Sequence, residues 1–189
     1  AAVKDDCSAF MTRMDALSTQ YLPLDKEARK VFYYDLRREH AFDYKKWSRT
    51  DEAATLYFLM KTGFNGIWQI NKNTDGRFGT PSGLLNQKDK VYDKDNVLEW
   101  KKALQRCTLM TGDFRETLSA ATPNSYVFLD PPYRGSFTQY GVDFDDDLQE
   151  SVIKFLNDLT VKGAYVMMSN RDIGDGFFEA RQGRNDIPY

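Results

Sequence analysis

Two short apolar runs constrain this chain more than anything else in it. YVFLD spans 126–130 and AYVMMSN spans 164–170. Between them, DDLQESVIKFLNDLT (146–160) carries apolar residues at 148, 152, 153, 155, 156 and 159. That spacing predicts a helix with one apolar face. Strand, helix, then a fully apolar strand is the pattern of a parallel sheet covered on both faces. The expected fold class is therefore α/β. In such sheets ligands gather beyond the carboxyl ends of the strands. Asp130 and Asn170 stand at two such ends.

Composition narrows the rest. At 189 residues the chain suits one ordinary domain, or one domain carrying an inserted module. Hydrophobic residues make up 41% and aromatics 14%, enough to build a core. A net charge of −2 argues against a blanket nucleic-acid coat but leaves room for a local basic surface. The two cysteines, Cys7 and Cys107, are far apart and suggest no disulfide framework, so a reducing, cytoplasmic setting is expected. A single histidine, His40, disfavours a His-based zinc site or a Ser-His-Asp triad, and no metal is expected. It lies in the charged run DLRREHAFDY, where a surface position is expected. No apolar run approaches a membrane span. The opening AAVKDD resembles no natural start, so a fragment is expected.

Upstream of the strands the pattern is helical. Residues 8–22 have helical apolar spacing, with Ser8 as the expected cap and Pro23 as the stop. A second helix is expected from about Asp25 through EARKVFYYDLRREHAF. A third is expected from Thr50, with Asp51 and Glu52 at its positive end and Gly63 closing it. The texture then changes. GIWQIN and RFGT flank Asp75-Gly76, which signals a hairpin. Residues 84–96 read as a loop, VLEWKKALQRC as an amphipathic helix, TLMTGDF as a short strand and turn, and RETLSAA as a short helix. The acidic cluster 143–147 reads as the lead-in to the helix that follows.

A strand followed by a stiff proline turn is common, and Asp-Pro-Pro alone says little. The full tetrapeptide Asp130-Pro131-Pro132-Tyr133 after an apolar strand is more specific, and it resembles motif IV of the DNA amino-methyltransferases. FNGIWQIN and GRFGTPSG resemble the recognition hairpin of the Dam-type (D12 class, α group) adenine methyltransferases. TGDF (111–114) resembles that family's element beside the cofactor adenine, and SNRD (169–172) the end of its next strand. The resemblance runs from about residue 30 to 175. It implies a Rossmann-like class I methyltransferase sheet, incomplete here, with an inserted helical and β-hairpin target-recognition domain. Residues 1–100 would be mainly that recognition domain, and 101–189 part of the catalytic domain.

The resemblance also implies chemistry. Adenine's exocyclic amine is a poor nucleophile, because its lone pair is delocalised into the ring. Hydrogen bonds from both amine hydrogens, to the Asp130 carboxylate and the Pro131 carbonyl, favour a pyramidal nitrogen whose lone pair can face a methyl sulfonium. Pro132 stiffens the turn, and Tyr133 offers a face to a base flipped from the duplex. Such a site works by positioning and electrostatics. The implied cofactor is S-adenosylmethionine, near Asp113, Phe114 and Asp130. The implied partner is double-stranded DNA, met by Asn65, Gly66, Gln69, Arg77 and Pro81. Lys61, Lys72, Arg77, Lys88 and Lys90, with Phe64 interleaved, would help position it. For Trp68 a place in a small core is the preferred reading.

Two departures qualify this. The family's F-x-G-x-G cofactor loop and its W-x-G-G-K-type segment are not found, so the chain is expected to be cut at both ends. Relatives reading GATC typically carry arginine where Gln69 stands. Arginine suits guanine O6 and N7, whereas glutamine suits adenine N6 and N7. Altered or relaxed specificity is the expectation. The alternatives are a catalytically inactive DNA-binding relative, or an amino-methyltransferase acting on another substrate.

Overall fold

The computed structural model describes residues 1–83, 89–135 and 144–181. Of the described residues, those up to Met110 belong to one compact unit and those from Thr111 onward to a second. Among the described residues no helix is long and apolar enough to cross a membrane, and no cluster of three metal-ligating side chains occurs.

The first unit is helical. Its α-helices are α1 (Ala2–Asp5), α2 (Cys7–Tyr21), α3 (Lys26–Phe42), α4 (Arg49–Thr62) and α5 (Lys94–Leu104). Caps explain where they begin. Asp25 accepts from the Ala28 amide, as its position before the second helical run suggests. The other two expected caps are corrected. Asp6, not Ser8, accepts from the Ala9 amide, and Ser48, not Thr50, accepts from the Asp51 amide. Each true cap is the last non-helical residue before the first turn, which only the backbone reveals. Phe10, Met14, Leu17 and Tyr21 of α2 pack with Tyr33 and Leu36 of α3 and Ala54, Phe58 and Leu59 of α4. Tyr21 meets Phe58 edge to face at 5.3 Å.

His40 is not on the surface. It is 2% exposed. With Tyr33 and Leu36 it continues the buried stripe of α3, at helical spacing within a charged run. Its ring lies 6.2 Å from that of Trp47, and neither ring nitrogen finds a hydrogen-bond partner among the described residues. Burial, and then the nearby Arg77 guanidinium, depress its pKa from 6.5 to about 4.

The expected hairpin exists as a close-fitting loop rather than a ladder. Ile70 bridges Phe78 and Gly63 bridges Ser82, both antiparallel, with no longer strand between them. The turn is a 3-10 segment, Lys72–Thr74, followed by Asp75 and Gly76, both at positive φ. Of the expected loop 84–96, residues 84–88 lie outside the described ones. Asp93 caps α5, which starts at Lys94 rather than at Val97.

The second unit is mixed α/β. β1 (Tyr126–Leu129) and β2 (Tyr165–Met168) pair in parallel, Tyr126 with Tyr165 through to Leu129 with Met168. The crossover helix is α6 (Asp146–Val161), capped by Asp145, with Asp146 and Asp147 in its first turn. Phe155, Leu159 and Ala164 pack with Val127, Leu129 and Val166 beneath the sheet, joined by Phe114 and Leu118 of a 3-10 helix, Phe114–Ala120. TLMTGDF forms no strand. The expectation that both sheet faces are covered is also corrected. Tyr126 and Tyr165 are each 65% exposed, with Phe128 and Met167 beside them on the outer face. Period-2 alternation sends these aromatic and apolar side chains outward, so apolar content alone does not report burial.

The unpartnered His40 yields a pH prediction. Unfolded, it takes a proton below about 6.5; folded, it resists until about 4. The unfolded state therefore binds more protons in that window, and stability falls as pH drops through it. The loss approaches about 3 kcal/mol at most. Denaturant unfolding of wild type and His40→Leu at neutral pH and in acid should show wild type losing ground to the variant by up to that amount. Parallel pH dependence of the two would refute it.

Candidate active site and recognition loop

The parallel register sets the chemistry-bearing residues side by side. β1 ends at Leu129, whose carbonyl accepts from the Ser169 amide at 3.0 Å, just past the end of β2. Asp130 and Ser169 follow these partners. The Ser169 hydroxyl donates to Asp130 Oδ1 at 2.5 Å. Asp130 is exposed, and Tyr133 is 43% exposed. An acceptor-only carboxylate, a rigid turn and an accessible aromatic ring therefore share one sheet edge.

Behind the turn lies a polar network. Gln149 of α6 is 1% exposed, and both ends of its amide are satisfied. Its Nε2 donates to the Pro132 carbonyl at 2.8 Å, and its Oε1 accepts from Asn170 Nδ2 at 2.8 Å. Asn170 Oδ1 in turn accepts from the amides of Arg134 and Arg171, at 3.0 and 2.8 Å. The Arg134 guanidinium pairs with Asp146 and Asp175 and lies 4.0 Å from the centre of the Phe177 ring. The hydrogen bonds that its guanidinium donates to both carboxylates stabilise its charged form and raise its pKa. Arg134 and Ser169 carry no spacing signal as partners of Asp130-Pro-Pro-Tyr. Gln149 does carry one: a polar residue three before Val152 and six before Phe155, on the buried face of an amphipathic helix.

Asp113 caps the 3-10 helix that leads toward β1 and pairs with Arg115 at 2.7 and 2.6 Å. Those hydrogen bonds hold its carboxyl down at about 2, so it is ionised at any working pH. Phe114 packs edge-on against Phe155 at 5.2 Å, partly buried. Arg115 thus engages both carboxylate oxygens of Asp113, and its guanidinium lies 5.5 Å from the centre of the Phe114 ring.

In the helical unit, the loop from Phe64 to Gly83 is held on its inner side and open on its outer side. The Tyr33 hydroxyl donates to the Thr80 carbonyl at 2.9 Å. Arg37 Nη1 donates to the carbonyls of Gly79 and Thr80, both at 2.9 Å. The Phe64 amide donates to the Pro81 carbonyl, and the Gly83 amide to the Thr62 carbonyl. Two glycines are required by close approach. A Cβ at Gly79 would stand 2.3 Å from Asn71 Cβ, and one at Gly83 would stand 2.6 Å from the Gly63 carbonyl oxygen.

Phe64, Asn65, Gly66, Ile67 and Pro81 are among its outward residues, with Asn65 and Gly66 both at positive φ. Trp68 is divided: 37% exposed, its ring 5.5 Å from that of buried Phe78. Gln69 is half-buried, and its carbonyl accepts from the Gly79 amide. Arg77 is held internally, 2.5 Å from Glu52 and 3.4 Å above the Tyr44 ring. Lys90 pairs with Asp93, Lys72 is exposed, and Lys88 lies outside the described residues.

The family model for the D12 class N6 adenine-specific DNA methyltransferases matches residues 1–182. Over 189 residues the chain is 33% identical to the type II methyltransferase M.MjaIII of Methanocaldococcus jannaschii, covering 97% of this chain and 64% of that protein. It is 32% identical over 170 residues to the retron Ec67 DNA adenine methylase of Escherichia coli, covering 88% and 55%. Against the DNA adenine methylase of Vibrio cholerae serotype O1 it is 29% identical over 159 residues, covering 76% and 52%. The chain thus spans between about half and two thirds of the length of these relatives.

The loop's anchoring to α3 is testable. Arg37→Ala removes the Nη1 hydrogen bonds to the Gly79 and Thr80 carbonyls, leaving Thr80 with the Tyr33 hydroxyl, at about 1.5 to 3 kcal/mol for a charge-assisted bond. Hydrogen exchange should show the Phe64, Gly79 and Gly83 amides losing protection ahead of amides in the middle of α2. Equal loss everywhere, or none, would show that the loop does not depend on Arg37.

Proposed function

The chain belongs to the D12 class of N6 adenine-specific DNA methyltransferases, and from that premise we propose that it is the recognition domain and part of the catalytic domain of such an enzyme. The reaction is methyl transfer from S-adenosylmethionine to the N6 amine of an adenine flipped out of duplex DNA. The observation that carries this reading is the sheet edge: an exposed Asp130 carboxylate, steadied by Ser169, opening a proline turn that ends in an accessible tyrosine.

The residues have separate tasks. Asp130 and the Pro131 carbonyl accept the two amine hydrogens and concentrate the lone pair on nitrogen. Pro131 and Pro132 restrict the backbone so that the carbonyl need not reorganise as charge develops. Tyr133 stacks on the extruded base. Asp113, Phe114 and Asp130 are the residues that would hold S-adenosylmethionine, which supplies the electrophilic methyl group. When bound, that cofactor would give up the methyl group and keep the electron pair of its carbon–sulfur bond, while Asp130 would stabilise the positive charge on the amine nitrogen until its surplus proton passes to water. Within the second unit this reading extends β1–α6–β2 to a Rossmann-like sheet, with the helical unit as an insertion into it.

For recognition, Asn65, Gly66 and Pro81 are the outward groups suited to DNA, on a loop stiff enough to hold register. Arg77 supports Tyr44 and Glu52, so its contribution is indirect. Gln69 in place of a guanine-reading arginine supports a target other than strict GATC, or a relaxed one. The setting is that of restriction–modification or prophage methylases.

Labelled methyl transfer to unmethylated duplex DNA, with modified bases mapped, tests both parts in the full-length protein. Asp130→Ala should abolish N6-methyladenine while leaving DNA affinity within about threefold, because phosphate contacts dominate that affinity. Retained methylation would refute the catalytic assignment. For Gln69, the expected map contains contexts other than GATC. A map confined to GATC would refute the specificity change.

A further inference from the structure

Among the described residues of the second unit, Gln149 is the one uncharged polar side chain that is fully enclosed, and it touches the turn rather than the Asp130 carboxylate. A glutamine on the apolar face of a helix needs a reason, because an amide without partners there is costly. Here each end has one partner, and each partner belongs to the site. The Pro132 carbonyl lies on one side; Asn170, which holds the Arg134 amide, lies on the other. The two amides therefore grip the backbone on both sides of Tyr133.

We propose that Gln149 is a positioning residue for methyl transfer: acting with Asn170, it fixes the Pro132–Tyr133–Arg134 turn against the end of β2, and so sets the Pro131 carbonyl and the Tyr133 ring where the flipped base must meet them. The inference rests on the methyltransferase reading and adds a requirement that reading does not contain. Proline rigidity fixes the internal shape of the turn. It does not fix the turn's position relative to the end of β1, which Asp130 directly follows. Gln149 supplies that second constraint from the crossover helix.

The chemistry of the clamp permits a test that a merely structural role would not pass. Gln149→Glu keeps the size and keeps an acceptor for Asn170 Nδ2. As a carboxylate it has no proton for the Pro132 carbonyl; as the neutral acid it donates one. Burial against a carbonyl raises the pKa of such a carboxyl. Lowering the pH should therefore restore the clamp in this variant, whereas wild type has no titrating group at that position.

The measurement is the single-turnover rate of labelled methyl transfer to unmethylated duplex DNA, using the full-length protein and taking the ratio of variant to wild type across pH. A misplaced turn should lower the Gln149→Glu rate by about 100-fold near pH 8.5. The ratio should then recover by about tenfold or more toward pH 6 as the acid form fills. The KM for DNA should stay within about threefold, since phosphate contacts are untouched. Gln149→Leu, which has no proton to regain, should be slow at every pH, and its Arg134 amide should exchange faster than in wild type. A Gln149→Glu ratio that is flat with pH, an effect confined to KM, or an Arg134 amide unchanged in Gln149→Leu would each overturn the inference while wild type still transfers. Wild-type protein that transfers no methyl group would instead overturn the methyltransferase reading, and this inference with it.

Discussion

Two strands of four residues make a very small sheet, yet their parallel register determines the geometry of the whole second unit. Leu129 opposite Met168 brings the two carboxyl ends level, and the Ser169 amide closes the ladder on the Leu129 carbonyl. From there each chain takes one further step, to Asp130 on one side and Ser169 and Asn170 on the other. A slip of one residue would turn every side chain to the opposite face. Val127 and Leu129 would then leave α6, and Asp130 would lose Ser169. The packing of Phe155 and Leu159 against the inner face is thus what holds the Asp130 carboxylate in place.

The helical unit meets a different physical demand. Its loop from Phe64 to Gly83 is too irregular to satisfy its own backbone by strand pairing, and buried carbonyls left without donors are costly. Tyr33 and Arg37, one turn apart on α3, supply those donors from outside the loop. Burial pushes the Tyr33 hydroxyl's pKa upward, so it remains a donor at any working pH. Satisfying the inner side in this way leaves the outer side, Phe64 to Ile67 and Pro81, exposed and conformationally defined. A surface that reads a duplex needs both properties, since a loop that must first become ordered loses affinity to entropy.

Much of this was legible in the sequence because the signals were local. Period and capping identify α3 and α6 from Asp25, the apolar stripe and the acidic lead-in at 145–147. Alternation and proline mark the end of β1. What was hidden depended on tertiary context. Ser8 and Thr50 are good caps by chemistry, yet backbone turns place Asp6 and Ser48 at the boundary. His40 looks exposed among charges, but its helical phase relative to Tyr33 and Leu36 turns it inward. Asp75-Gly76 correctly marks a turn, while the absence of a regular ladder follows from close contacts at Gly79 and Gly83 that no pairwise pattern encodes. The roles at Asp130, Asn65 and Pro81 came from family resemblance; the structure adds their exposure and supports.

Arg134 and Gln149 show how the exit from the turn is stabilised at two different distances from solvent. The Arg134 side chain is 11% exposed, but its carboxylate partners reach water, at 59% for Asp146 and 41% for Asp175. Exposed carboxylates screen the pair, so its net contribution to stability is small. The converse change is not small: removing both acids would leave a mostly enclosed guanidinium facing the Phe177 ring without its carboxylates. Gln149 sits deeper and is neutral, so its two hydrogen bonds carry no charge to desolvate and no dependence on salt. Nature of the partner therefore divides the work. The charged cluster orients Arg134 where water can still reach, and the amide pair fixes the backbone where it cannot. Among the described residues, Asp130 accepts from the Ser169 hydroxyl alone and is otherwise left open to solvent.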